Sequence, residues 1–179
     1  MGLLLVFQST FSQDEHHDNH SKEHHDMKGS HRLSVGMGQT HVSHGEVDGK
    51  GQWLVLPTWC IDYDYWLSNK WAIGLENEII VESFKIESDH HEIIERTYPI
   101  DVVPIAIYKP GEHLSILGGV GYEFAKENSL FMTRLGLEYG FHLPGNWEVG
   151  TTLVWDGKWN YYNSWGLSLI VSKIWQKKH

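Results

Sequence analysis

Apolar and polar residues alternate along most of this chain, and that period constrains its fold more than any other feature. The alternation begins at His31 and runs through eight segments, at residues 31–42, 52–67, 70–84, 93–109, 113–124, 129–142, 146–156 and 161–175. A repeat of two residues is the period of a β-strand, whereas a helix repeats its apolar residues every three or four positions. The sequence therefore predicts eight strands in one all-β domain.

The connections between these segments are of two kinds, which alternate along the chain. Tight turns are predicted at residues 68–69, 110–112 and 144–145, and longer or more polar connections at 43–51, 85–92, 125–128 and 157–160. Outer-membrane barrels of bacteria combine short periplasmic turns with longer outer loops. An even number of strands also places both chain ends on the periplasmic side.

The two faces of each predicted strand differ in the size of their side chains. In segment 129–142, Phe131, Leu135 and Leu137 share one face, whereas Gly136 and Gly140 lie on the other. The interior of an eight-stranded barrel is just wide enough for side chains to fill, so the face of Gly and Ser residues is predicted to point inward. The apolar face then contacts lipid, and aromatic residues near both strand ends match the girdles of membrane barrels.

This pattern resembles the small eight-stranded outer-membrane proteins of the OmpA and OmpX type, over about residues 31–175. The resemblance implies an eight-stranded antiparallel up-and-down transmembrane β-barrel in the outer membrane of a Gram-negative cell. Its expected partners are outer-membrane lipid, the barrel-assembly machinery and other envelope proteins. Barrels of this class end on an aromatic residue, but here Trp175 is followed by four polar residues. A net charge of -9 argues against nucleic acid as a partner.

The first 30 residues are predicted to lie outside the barrel, which we assign to residues 31–179. An apolar stretch at residues 2–7 predicts the remnant of a signal peptide over residues 1–13. Residues 14–30 read DEHHDNHSKEHHDMKGS, a composition that cannot form a core and that predicts a disordered, His-rich periplasmic tail. The single cysteine, Cys60, excludes an internal disulfide.

Strand parity directs a set of mostly acidic side chains into the barrel. The predicted interior network consists of Arg32, Asp62, Asp64, Glu76, Glu78, Asp101, Glu123, Arg134, Glu138 and Glu148. A buried carboxylate is costly unless it is paired, hydrated or protonated. We therefore expect a salt-bridge network that fills the barrel, with a path for cations or protons as the functional alternative.

Histidines supply the candidate metal ligands, since imidazole and carboxylate groups suit zinc, nickel or copper ions. The candidates are His16, His17, His20, His24 and His25 in the tail, His41 and His44 near the first long connection, and His90 and His91 in the second. Binding of divalent metal, or cation transport through the acidic interior, is thus the alternative to a non-enzymatic envelope protein with a structural or surface-binding role. A second alternative is a lipid hydrolase that uses His41, Ser43 and His44 at the outer rim. The chain carries neither a G-x-S-x-G elbow nor an H-E-x-x-H motif.

Overall fold

The structure is a computed structural model that describes residues 27–47, 50–88 and 92–176, and strands are the regular elements of this part of the chain. The strands are β1 (Ser30–Val47), β2 (Lys50–Trp66), β3 (Trp71–Ile80), β4 (Phe84–Glu87), β5 (Ile93–Arg96), β6 (Ile100–Tyr108), β7 (Leu114–Phe124), β8 (Ser129–Leu143), β9 (Trp147–Lys158) and β10 (Tyr162–Gln176). No helix in the described ranges is long and apolar enough to cross a membrane.

Eight of the strands form a closed antiparallel barrel. Each barrel strand pairs with the next one along the chain, with β3 pairing directly with β6. The last strand, β10, pairs with both β9 and β1, and its register with β1 runs from Ser30 opposite Gln176 to Val42 opposite Ser164. Closure leaves no free sheet edge in the barrel wall, and it confirms the predicted eight-stranded up-and-down fold.

Strands β4 and β5 are a separate hairpin, which we call the cap. The predicted segment 70–84 runs past the end of β3 at Ile80, and the predicted segment 93–109 includes β5 although β6 begins only at Ile100, so both bounds were wrong. Most of β4 falls in the connection predicted at 85–92. A register shift between Val42 and Gly45 bends the end of β1, where Gly45 pairs with Ile86 of the cap. Buried and exposed residues alternate in the cap as they do in a barrel strand, so the period of two in the sequence did not distinguish the cap from the wall.

The outer wall of the barrel is apolar, as the sequence predicted. Leu135 is 55% exposed and Leu169 is 68% exposed, and both belong to the face assigned to lipid. Exposed aromatic side chains lie towards both ends of the strands, including Trp71 and Trp147 beside the tight turns and Trp53 and Trp159 beside the long connections. Such a surface is stable only when lipid covers it.

Apolar side chains close the barrel interior near both ends. Near the tight turns, Met27 packs in a buried cluster with Trp66, Ile107 and Ile174. The Met27 amide donates a hydrogen bond to the Asn69 side-chain oxygen over 2.9 Å. The described chain therefore packs against the barrel from Met27 onward, four residues before residue 31, where the barrel domain was predicted to begin.

At the opposite end, the cap covers the mouth of the barrel. Phe84 and Ile86 of the cap are buried in a second apolar cluster with Val42, Leu130 and Tyr162 of the barrel wall. The cap thus adds a layer of side chains above the interior, at the end where the long connections lie.

The ladder of the wall is also interrupted between β6 and β7, at a position that we call the seam. The pairing of these strands skips Val103 and Pro104. Proline has no amide hydrogen to donate to the neighbouring strand. A Cβ atom at Gly119 would lie 2.0 Å from the Pro104 carbonyl oxygen, so only glycine fits there.

Candidate functional site in the barrel interior

Arg32 organises the charged side chains in the half of the barrel near the tight turns. Its Nε donates to Asp64 Oδ2 over 2.7 Å, and its Nη1 donates to Glu148 Oε1 over 2.8 Å. The same guanidinium bonds both carboxylate oxygens of Glu138. One buried cation therefore pairs with three carboxylates from three different strands.

Arg134 has the same role in the half near the long connections. Its Nε and Nη2 bind the two oxygens of Asp156, each over 2.7 Å, in the forked geometry that suits arginine. Its other contacts are to Glu76 at 3.2 Å, Asp101 at 3.2 Å and Glu78 at 3.5 Å. Four carboxylates thus surround one guanidinium that is 2% exposed.

Lys158 extends this network towards the cap. Its Nζ lies 3.3 Å from Glu123 Oε2, 3.6 Å from Asp101 Oδ2 and 3.8 Å from Asp156 Oδ2. Glu123 also accepts a hydrogen bond from the Tyr162 hydroxyl. The charged interior is therefore continuous from Arg134 to the outer mouth.

Arg96 connects the cap to the barrel. Its Nε lies 2.7 Å from Glu123 Oε1, and its Nη1 donates to the carbonyl and side-chain oxygens of Asn128. The side chains of Arg96 and Glu123 are fully buried. Nearby, the Thr97 hydroxyl donates to Glu127 over 2.8 Å, which holds the pKa of this exposed loop carboxyl below its usual value.

A small cavity lies beside Arg134. Its volume is about 20 Å³, and Cys60, Asp62, Glu76, Glu78 and Arg134 are among its lining residues. That volume accommodates about one water molecule.

All ten residues of the interior network expected from strand parity lie inside the barrel. Sequence reasoning also missed four charged residues there, namely Arg96, Lys109, Asp156 and Lys158. Lys109 Nζ lies 3.6 Å from Glu148, so Lys109 faces inward like Lys158. Lys109 is the last residue of the predicted segment 93–109, and Lys158 lies in the connection predicted at 157–160. With these four included, nine carboxylates face five basic groups inside the described barrel.

The predicted histidine ligands are not brought together in the described structure. His41 is half-buried on β1, opposite Val55 and Trp165, and His44 is exposed with a φ of 59°. The tail histidines and His90 and His91 lie outside the described residues. Within the described ranges, no group of three or more His, Cys, Asp or Glu side chains is arranged to hold a metal ion.

Ser43, the nucleophile considered for a lipid hydrolase, is bonded to the backbone of β10. Its hydroxyl donates to the Asn163 carbonyl over 2.7 Å and accepts from the Asn163 amide over 3.1 Å. These two bonds join β1 to β10 at the bend in β1, so the geometry gives Ser43 a structural contact.

Comparisons with solved structures place the fold among small outer-membrane barrels. The Ail attachment invasion locus protein of Yersinia pestis is 15% identical over 82% of this chain and 99% of its own, with a TM-score of 0.53. The structure of the same protein in complex with the heparin analogue sucrose octasulfate has a TM-score of 0.54, with 15% identity over 83% of this chain and 100% of its own. The outer membrane protein OprG of Pseudomonas aeruginosa is 11% identical over 86% of this chain and 99% of its own, with a TM-score of 0.51. No family model matches the sequence, and no curated protein matches it.

The fold is thus that of the small eight-stranded outer-membrane β-barrels. A closed antiparallel barrel with an apolar outer wall is the architecture by which strands cross the outer membrane of Gram-negative cells. In that class the tight turns face the periplasm and the long connections face the outside, which sets the two sides used below.

Proposed function

We propose that the protein is a closed, non-enzymatic barrel that acts at the cell surface through its long connections and cap, and that it does not conduct solutes. The observation that carries the proposal is the filled interior. Arg32 and Arg134 bind seven carboxylates between them, and the cap is fastened over the outer mouth by Arg96. Eight strands leave room for side chains but not for a wide channel.

The test is conductance of the purified full-length protein in planar lipid bilayers. We expect no steady current at neutral or acidic pH, in bilayers where a large porin gives its usual channels. A reproducible cation-selective current would overturn the closed-barrel proposal and favour cation transport. The excess of carboxylates over basic groups in the interior is the observation that supports this alternative.

The charge of the outer end restricts the class of partner that the protein would bind at the cell surface. Exposed Glu82, Glu92, Glu95 and Glu127 outnumber exposed Lys50, Lys85 and Lys126 in the described connections and cap. Like charges repel across an interface, so this end suits a neutral or cationic partner rather than a sulfated polyanion. The similarity to Ail therefore does not extend to the heparin analogue bound in that structure.

Calorimetry with sucrose octasulfate tests this expectation. At low ionic strength, where attraction between charges is least screened, we expect no saturable binding by the wild-type protein. A triple variant, E82K/E92K/E95K, reverses three exposed charges in and beside the cap and is the matched control expected to gain binding. Saturable, salt-sensitive binding by the wild-type protein would contradict the partner class proposed here.

Capture of divalent metal is the second candidate function. The observation that favours it is the tail sequence, in which five histidines lie among acidic residues at positions 16–25. Elemental analysis of the protein purified with and without residues 14–26 tests it. Metal that is lost with these residues would support loose capture in the periplasm, and metal-free protein in both forms would exclude this candidate.

A further inference from the structure

Lys173 lies on the lipid-facing wall of the barrel, at the periplasmic end of β10. It is half-buried, and its register partners are Leu33 of β1 and Trp147 of β9. Its neighbours on the same face of β10 are Val171 and Trp175, both exposed to lipid. A lysine on this face is tolerated only near the membrane interface, where its ammonium reaches polar groups.

The Lys173 side chain is held in a defined position. Its Nζ lies 4.6 Å from the centroid of the Trp147 ring and donates to the Gly145 carbonyl over 2.6 Å. An ammonium has three N–H donors, and Gly145 takes one of them. The group is therefore fixed at the rim with further donors available to a ligand.

Other donors surround this lysine on the neighbouring strands. His31 of β1 pairs with Trp175 and Tyr65, and its Nδ1 lies 2.6 Å from the Tyr63 hydroxyl. His31 and Lys173 are diagonal neighbours, whose Cα atoms lie roughly 7–8 Å apart in antiparallel sheets. Among the described residues of β9, β10, β1 and β2, no Asp or Glu faces lipid at this end.

We infer that this lysine–indole patch, formed by Lys173, His31, Tyr63, Trp147 and Trp175, binds the phosphodiester headgroup of an anionic phospholipid in the periplasmic leaflet. The ammonium provides the positive charge and N–H donors that a phosphate accepts, and the hydrogen-bonded His31–Tyr63 pair keeps one further donor, on the imidazole or on the phenol. The exposed indoles provide apolar surface at the depth where the acyl chains begin. The inference goes beyond the closed-barrel proposal and does not depend on it.

Native mass spectrometry of the full-length protein in detergent tests the inference, with phosphatidylglycerol and phosphatidylcholine supplied in competition. We expect the wild-type protein to retain phosphatidylglycerol in preference. Because one basic residue at a membrane surface contributes about fivefold in affinity, K173Q should lose about that factor, whereas K173R should keep the preference. Heat-dependent mobility on detergent gels verifies that each variant has folded.

The matched control is K70Q, because Lys70 is an exposed lysine at the same end that lies in a turn rather than on the lipid-facing wall. It should bind phosphatidylglycerol like the wild type. Two results would overturn the inference: an unchanged preference in K173Q, or an equal loss in K70Q, which would indicate diffuse attraction by the rim instead of a built site.

Discussion

Arg134 contacts four of the nine interior carboxylates, more than Arg32 or Lys158. Replacing it with Gln leaves Asp156, Glu76, Glu78 and Asp101 without their shared cation. Removing one partner of a buried ion pair typically costs about 3–5 kcal/mol, so we expect R134Q to lower the free energy of unfolding by about that amount. Urea-induced unfolding in phospholipid vesicles measures the loss.

Two further variants separate the charge of Arg134 from its shape. R134K keeps the charge but not the forked donors that bind Asp156, so it should fall between R134Q and the wild type. K126Q, in the exposed 125–128 connection, should lie within about 0.5 kcal/mol of the wild type. If R134Q proved as stable as K126Q, the arginine would not be the centre of the network.

Strand parity recovered the ten predicted interior residues but not every interior charge. Asp156 and Lys158 share the parity of Glu148. Asp156 is the last residue of the predicted segment 146–156, and Lys158 lies in the connection predicted at 157–160, whereas β9 in fact continues to Lys158. Parity is informative only inside a strand of known length. Parity therefore did not identify the interior charges at strand ends, because Lys and Asp residues at such positions are also typical of a solvated connection.

At the scale of strands, the seam between β6 and β7 interrupts the ladder at Val103 and Pro104. Replacing Pro104 with Val restores an amide donor towards β7, and one intramolecular hydrogen bond contributes about 1 kcal/mol net. We expect P104V to raise the free energy of unfolding by about that amount in the same vesicle assay.

P144V is the matched control for this seam. Pro144 lies in the tight turn between β8, which ends at Leu143, and β9, which begins at Trp147, so this substitution restores no ladder bond. It should not raise the free energy of unfolding, because proline in a turn restricts the unfolded chain. A gain in P144V equal to that in P104V would point to a general effect of removing proline rather than to repair of the seam.

The cap is the element that the sequence did not distinguish, since a hairpin folded over the mouth and a strand in the wall have the same period of two. The ion pair between Arg96 and Glu123 attaches the cap and can be tested by R96Q, which removes the cation beside Glu123. Lowering the free energy of local opening by about 1.4 kcal/mol makes amide exchange tenfold faster. We therefore expect amide exchange across β4 and β5 to become at least tenfold faster in R96Q.

E95Q controls for the cap test, because Glu95 neighbours Arg96 in sequence but is exposed on the other face of the hairpin. Hydrogen exchange followed by mass spectrometry should show its cap peptides unchanged. Acceleration that spread from the cap into the barrel strands of R96Q would indicate instead that the whole fold depends on the cap.

For the whole molecule, the order of short and long connections determines its orientation in the membrane. The first and last described residues, Met27 and Gln176, lie at the end that carries the tight turns, and in this class that end faces the periplasm. The cap then faces outward, and this orientation is the basis of both the surface role and the inner-leaflet lipid site. We expect an epitope inserted at residues 89–91, between the cap strands, to be labelled by antibody on intact cells.

The same epitope inserted in the 144–146 turn is the matched control, and it should be labelled only after the outer membrane is permeabilised. Both insertions lie in connections outside the strands, where added residues are well tolerated. Labelling of the turn on intact cells, with the cap protected, would reverse the orientation. The lysine–indole patch would then lie in the outer leaflet, where the phosphates of the surface lipids would replace phosphatidylglycerol as its ligand.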